Sequence, residues 1–113
     1  MRTCARCGSE YEWGVHVALF TKQATLSAAD VAATLTNGPN DLPAHEAMLL
    51  KAADELHDSS TILDGLWSEM ALHYSPAQII ELIALVGNYH AVSFIANAAR
   101  VDLEPFAPRF NQA

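Results

Sequence analysis

The segment from Ile79 to Ala99 constrains the fold more than any other. It follows Ser75-Pro76-Ala77-Gln78, a strong helix start: a serine that can cap, a proline at the first helical position and a glutamine three residues after the cap. Ile79, Ile80, Leu82, Ile83, Leu85, Val86, Val92, Phe94 and Ile95 cover nearly the whole circumference of the resulting helix. A helix that is apolar all round has to be covered all round. It also carries Glu81, Asn88, His90 and Asn97, a set that a lipid-spanning helix rarely tolerates. The expectation is therefore a buried helix of a soluble protein, with no membrane span. Gly87 and Ala91, four residues apart, would let a second backbone approach closely. The rest of a 113-residue chain can hardly cover such a helix alone, so a homo-oligomer is expected.

Four shorter helices are expected before the long one. Ser9-Glu10-Tyr11-Glu12 has the form of a capping box and opens a helix to about Lys22 or Gln23, with Trp13, Val17 and Phe20 on its apolar stripe. Ser27-Ala28-Ala29-Asp30 opens a short second one, stopped by Asn37-Gly38-Pro39. Pro43 suits the first turn of a third, whose stripe is Met48, Leu49, Ala52, Ala53 and Leu56 and which ends near His57-Asp58-Ser59-Ser60. The fourth spans about Asp64 to Tyr74 with Leu66, Trp67, Met70 and Ala71 facing inward. Val101 to Ala113, with Pro105 and Pro108, reads as an extended arm. No run alternates at period two, so the fold class is all-α: a bundle of about five helices in a single domain, residues 1–113.

Charge and cysteine content narrow the function. Six Lys and Arg against thirteen Asp and Glu leave no basic footprint for nucleic acid or an anionic membrane. Two cysteines form no disulfide framework, and Met1-Arg2-Thr3-Cys4-Ala5-Arg6-Cys7 does not read as a secretory signal. A cytoplasmic protein with reduced thiols is expected.

Chemistry concentrates at the start of the chain. Ser9, Glu12 and His16, three and four apart, share one helix face, and a carboxylate one turn before an imidazole can orient it and relay a proton. The same pair also suits a plain surface ion pair. Cys4-Ala5-Arg6-Cys7 is a CxxC motif, in which Arg6 and the following helix N-terminus would stabilise the Cys7 thiolate. Such a dithiol can cycle with a disulfide, and two inert buried thiols are the alternative. Zinc needs two further ligands, and neither a second CxxC nor an HExxH is present, so no metal and no cofactor is expected. Tyr89 and His90 lie mid-helix, where His90 is either a satisfied core histidine or one wall of a cleft facing His16. His45, His57 and His73 fall on charged or helix-end stretches and read as solvated, while Trp13 and Trp67 read as core.

Glu10-Tyr11-Glu12-Trp13-Gly14-Val15-His16 is more specific. It resembles the carboxymuconolactone decarboxylase family, which includes the alkyl hydroperoxidase D-like (AhpD-like) proteins. "LLKAADELHD" (Leu49 to Asp58), "IIELIALVGNYH" (Ile79 to His90) and "VDLEP" (Val101 to Pro105) agree in order, so the resemblance covers nearly the whole chain. It implies an all-helical domain assembled into trimers or hexamers with an active site near a subunit interface. The family histidine falls on His16 and its two cysteine positions on Glu12 and Ser9, with Cys4 and Cys7 five residues upstream. The family's relay glutamate would precede Met1, so the chain reads as a member lacking the N-terminal helices. The resemblance thus implies an enzyme acting on a small organic acid or lactone, with Glu12 and His16 as acid/base groups and Tyr11, Trp13, Tyr89 and His90 lining the pocket. The alternatives are a peroxiredoxin-type thiol-dependent alkylhydroperoxidase using Cys4 and Cys7, and a non-catalytic oligomeric member.

Overall fold

The chain folds into six α-helices and a terminal 3-10 turn in a computed structural model that describes residues 1–38 and 40–112. The helices are α1 (Arg2–Arg6), α2 (Glu10–Phe20), α3 (Ala28–Ala33), α4 (Ala44–Ser59), α5 (Asp64–His73) and α6 (Pro76–Ala98), and the turn is Phe110–Gln112. No strand occurs among the described residues. The body measures 42 × 29 × 24 Å, and α6 forms its spine, against which α1, α2, α4 and α5 all pack.

Two serine-led starts form as their sequences dictate. The Gln78 amide donates to Ser75 Oγ at 3.2 Å, and Gln78 Oε1 accepts from the Ser75 amide at 2.9 Å. Ser27 and Asp30 make the same reciprocal pair at the head of α3. Ser9 does not. It precedes α2 and is wholly buried, yet its hydroxyl caps nothing, and the reciprocal half of the box is missing too, since the Glu12 carboxylate turns toward His16 instead of back to Ser9. At α4 the proline sits one position earlier than expected, as Pro43 is the cap residue itself. Of the anticipated stop at Asn37-Gly38-Pro39, Pro39 lies outside the described residues, and α3 already ends at Ala33 with Thr34 as its cap.

Helix α1 is an addition to the five expected. At five residues it is too short to show a periodic pattern, and one side chain anchors it. Arg2 donates to both carboxylate oxygens of Asp54, at 2.6 and 3.0 Å, and to the Thr34 and Thr36 carbonyls and Asn37 Oδ1. Arg6, one turn on, also pairs with Asp54, and with Asp58. These bonds tie α1 to α4 and to the segment after α3.

Two apolar clusters make the core. Ala52, Ile62, Leu66, Met70 and Ile79 join α4, α5 and α6. Cys4, Trp13 and Val31 join α1, α2 and α3, with Tyr89 and Phe110 against them. The last segment is not a free arm: the Phe110 ring tilts onto Trp13 with centroids 5.3 Å apart, and the Phe110 amide donates to Glu10 Oε2 at 2.7 Å. Gly14 makes this closure possible, because a Cβ there would lie 2.5 Å from the Pro108 carbonyl oxygen. Ala113, the end of the expected arm, lies outside the described residues. Trp67, expected inward, is 43% exposed, since Leu66 and Met70 occupy the inward stripe of α5 and Trp67 sits ~100° round from Leu66. Phe20 and Ala71, also expected inward, are exposed as well.

Candidate functional site

The polar seam of the molecule runs along α6, where Tyr89, His90 and Ser93 look toward α1, α2 and α4. Its upper part contains the carboxylate and imidazole singled out in α2. His16 Nδ1 lies 2.9 Å from the Glu12 backbone carbonyl and 3.5 Å from its carboxylate. A carbonyl only accepts, so Nδ1 carries the hydrogen, and Nε2 accepts from the Tyr89 hydroxyl at 2.9 Å. Burial raises the Tyr89 pKa, with Cys4 and Glu12 adding to it, so the hydroxyl stays a donor. Both ring nitrogens of His16 are thus engaged.

The lower part brings together residues far apart in sequence. Cys7 sits just past the end of α1, His57 near the end of α4 and His90 in the middle of α6. His57 Nδ1 is 2.9 Å from His90 Nε2 and 3.8 Å from Cys7 Sγ. The two rings stack with centroids 5.1 Å apart, and one donor atom from each of the three residues lies within 4.8 Å of the others. His90 Nδ1 donates to the Val86 carbonyl at 2.8 Å, which leaves its Nε2 as a lone pair. In the neutral pair His57 Nδ1 therefore carries the hydrogen that faces His90 and Cys7. His57 Nε2 is then a lone pair with no protein partner among the described residues. Asn97 Nδ2 donates to the Cys7 carbonyl at 2.9 Å, which pins the turn after α1 to α6.

Both imidazoles line a cleft of about 400 Å³ between α4 and α6, walled otherwise by Leu56, Ser60, Ile83, Val86, Gly87 and Phe94. Glu12 and His16 are not among its walls. Burial, then Arg6 and the facing His90, lower the His57 pKa from its ordinary 6.5, opposed by Asp58 and Asp54, so the ring is mostly neutral near pH 7.

The thiols differ from expectation. Burial and the neighbouring Cys4 raise the Cys7 pKa, against the opposing pull of Ser93 and Arg6. Cys7 caps the C-terminal end of α1, where the helix dipole opposes a thiolate. Cys4 is wholly buried and its pKa is raised by that burial, the N-terminal amine and Ser93 pulling the other way. The Ser93 hydroxyl stands near both sulfurs without a hydrogen-bond partner.

Of the other expected pocket residues, Tyr89 reaches His16 and His90 reaches His57, so the two neighbours serve different halves of the seam. Trp13 is fully buried and donates from Nε1 to Thr34 Oγ1 at 2.9 Å, which makes it a core residue. Tyr11 points its hydroxyl at Glu104 Oε1, 3.4 Å away. His45 and His73 are exposed as expected, whereas His57, expected solvated, is half-buried. Its position was the available signal: it lies four residues after Ala53 and eight after Leu49, on the apolar face of α4. No family model, no curated protein and no solved structure matches the chain.

Proposed function

We propose that this chain is an enzyme with general acid/base chemistry on a small organic acid or lactone, of the carboxymuconolactone decarboxylase-like kind, and that its AhpD-like bundle self-associates. The observation that carries the reading is the His57–His90 pair on the wall of an apolar cleft of about 400 Å³, a size suited to a small ligand. His57 offers a bare Nε2 toward a bound molecule. His90 holds the opposite nitrogen at 2.9 Å and is itself fixed by the Val86 carbonyl, so the base is oriented by a second group, as such chemistry requires. In loss of CO2 from a carboxylated lactone, the bond to the carboxyl carbon breaks and its electron pair moves onto the conjugated carbonyl. A proton that His57 Nε2 has first taken up from solvent then passes to carbon, which returns the imidazole to its neutral form. In this reading the Glu12–His16–Tyr89 relay lies outside the cleft walls.

Thiol-dependent reduction of an alkyl hydroperoxide by Cys4 and Cys7 is the second reading, favoured by Cys7 Sγ lying 3.8 Å from His57. It ranks lower because the nearer nitrogen already carries a hydrogen and both thiols are held protonated. The deciding experiment incubates the reduced full chain with a carboxylated butenolide and with an alkyl hydroperoxide. Loss of lactone that disappears in His57→Gln, and survives in a Cys4→Ser/Cys7→Ser double variant, is the expected result. Peroxide consumption dependent on the thiols moves the assignment to the second reading. Consumption of neither leaves a non-catalytic member.

A further inference from the structure

We infer that Cys7, His57 and His90 form a binding site for a zinc-type divalent ion, with the fourth coordination position open to the α4–α6 cleft. The site shares two residues with the acid/base reading but does not rest on it. Three donor atoms converge here: His57 Nδ1 faces the bare Nε2 of His90 at 2.9 Å and the Cys7 sulfur at 3.8 Å. A cation in place of the hydrogen on His57 Nδ1 can bind all three at once.

The spacing fits such an ion. Metal–sulfur and metal–nitrogen bonds of the usual zinc lengths, at tetrahedral angles, separate two nitrogens by about 3.3 Å and a nitrogen from a sulfur by about 3.6 Å. The two separations from His57 Nδ1 fall within ~0.4 Å of those values, and the Cys7 and His90 donors lie within 4.8 Å of each other, so small ring rotations bring all three to one ion. One thiolate and two imidazoles form a donor set suited to a borderline-soft ion rather than magnesium or calcium. The outer shell is present too. The Val86 carbonyl fixes the tautomer that leaves His90 Nε2 free to ligate, and the Asn97 amide holds the Cys7 backbone.

Local charge agrees. Arg6 is the nearby cation, and it is neutralised in place: Arg2 and Arg6 together pair with Asp54 and Asp58, two guanidiniums against two carboxylates. On binding, Cys7 gives up one proton to solvent and the His57 hydrogen moves from Nδ1 to Nε2. Both imidazoles wall the cleft and Cys7 does not, so an exchangeable fourth ligand comes from the cleft side: water, or the carboxylate of a small organic acid.

Cobalt(II), titrated into the reduced full-length chain without oxygen, tests the site. The expected result is one equivalent bound, with intense tetrahedral visible bands and a sulfur-to-cobalt charge-transfer band, and displacement by Zn2+. Cys7→Ser abolishes the charge-transfer band. His90→Gln weakens binding by more than the ~10- to 100-fold that loss of an outer-shell partner costs. Cys4→Ser and His16→Gln leave both spectrum and affinity unchanged, with far-ultraviolet circular dichroism confirming that each variant is folded. No saturable cobalt binding, a weak octahedral spectrum, or a charge-transfer band that follows Cys4 instead of Cys7 overturns the site. None of these readouts depends on turnover, so they separate the ion site from the acid/base reading.

Discussion

Arg2 does more for the architecture than its place at the start of the sequence suggests. Its side chain is 5% exposed, and it donates five hydrogen bonds, two of them to the Asp54 carboxylate. A buried charge with its partners in place is tolerated, but removing one side strands the other. Arg2→Met leaves Asp54 with Arg6 as its remaining cation and orphans the Thr34 and Thr36 carbonyls. The expected cost is about 3 kcal/mol, read as a lower urea midpoint at unchanged slope. A loss below ~0.5 kcal/mol, the usual range for a surface substitution, means that α1 is not anchored this way. This network was not legible in sequence, because Asp54 lies 52 residues away and no local spacing joins the two. The partner of His57, 33 residues away, is the same kind of long-range pairing. The Glu12–His16 pair was legible because four residues of helix impose it, although its outer partner Tyr89 emerges only from packing.

Among whole elements, what the sequence made plain is what a few neighbouring residues decide. The starts of α3 and α6 are reciprocal serine boxes, closed within four residues. The box expected at Ser9 loses its carboxylate half to a competing partner of Glu12 one turn ahead, and α1 leaves no sequence signal because five residues hold no period. The Asp30 box carries a pH dependence whose sign follows from its bonds. The Ser27 amide and then the Ser27 hydroxyl donate to the Asp30 carboxylate and hold its pKa below the ordinary 3.8, so the folded state favours the charged form. That contribution is complete above the unfolded value and is lost as pH falls through the depressed folded one. Thermal unfolding of Asp30→Asn, compared with the parent between pH 6 and pH 2, is expected to show a flatter decline in the acid range. Parallel curves for the two proteins would remove the carboxylate from the account.

At the scale of the molecule, α6 poses the remaining problem. It is long and apolar enough by length and composition to cross a membrane, yet in this fold one face packs into the bundle through Ile79, Val86, Ser93 and Ala96. The opposite face is bare. Ile80, Ala84, Gly87, Ala91 and Ile95 follow the three-and-four spacing of one stripe, and Ile80 and Ile95 are 64% and 66% exposed. The sequence signalled a helix needing cover on every side, and one chain buries only one face of it. A second copy of the chain suits the bare half: the small residues mid-stripe admit a close backbone, and nothing lies within 4 Å of where a Gly87 Cβ would be. A lipid surface fits less well, since Glu81 and Asn88 are exposed on the same helix and the chain carries a net charge of −7. Phe94, 59% exposed beside this stripe, also walls the cleft, so a copy docked there would roof the imidazole pair. Sedimentation of the parent is accordingly expected to show a closed oligomer, and Ile80→Glu/Ile95→Glu a folded monomer whose α6 is no longer masked from a hydrophobic dye. A parent that sediments as a monomer at tens of micromolar removes the self-association, and one that partitions onto neutral vesicles assigns the stripe to lipid.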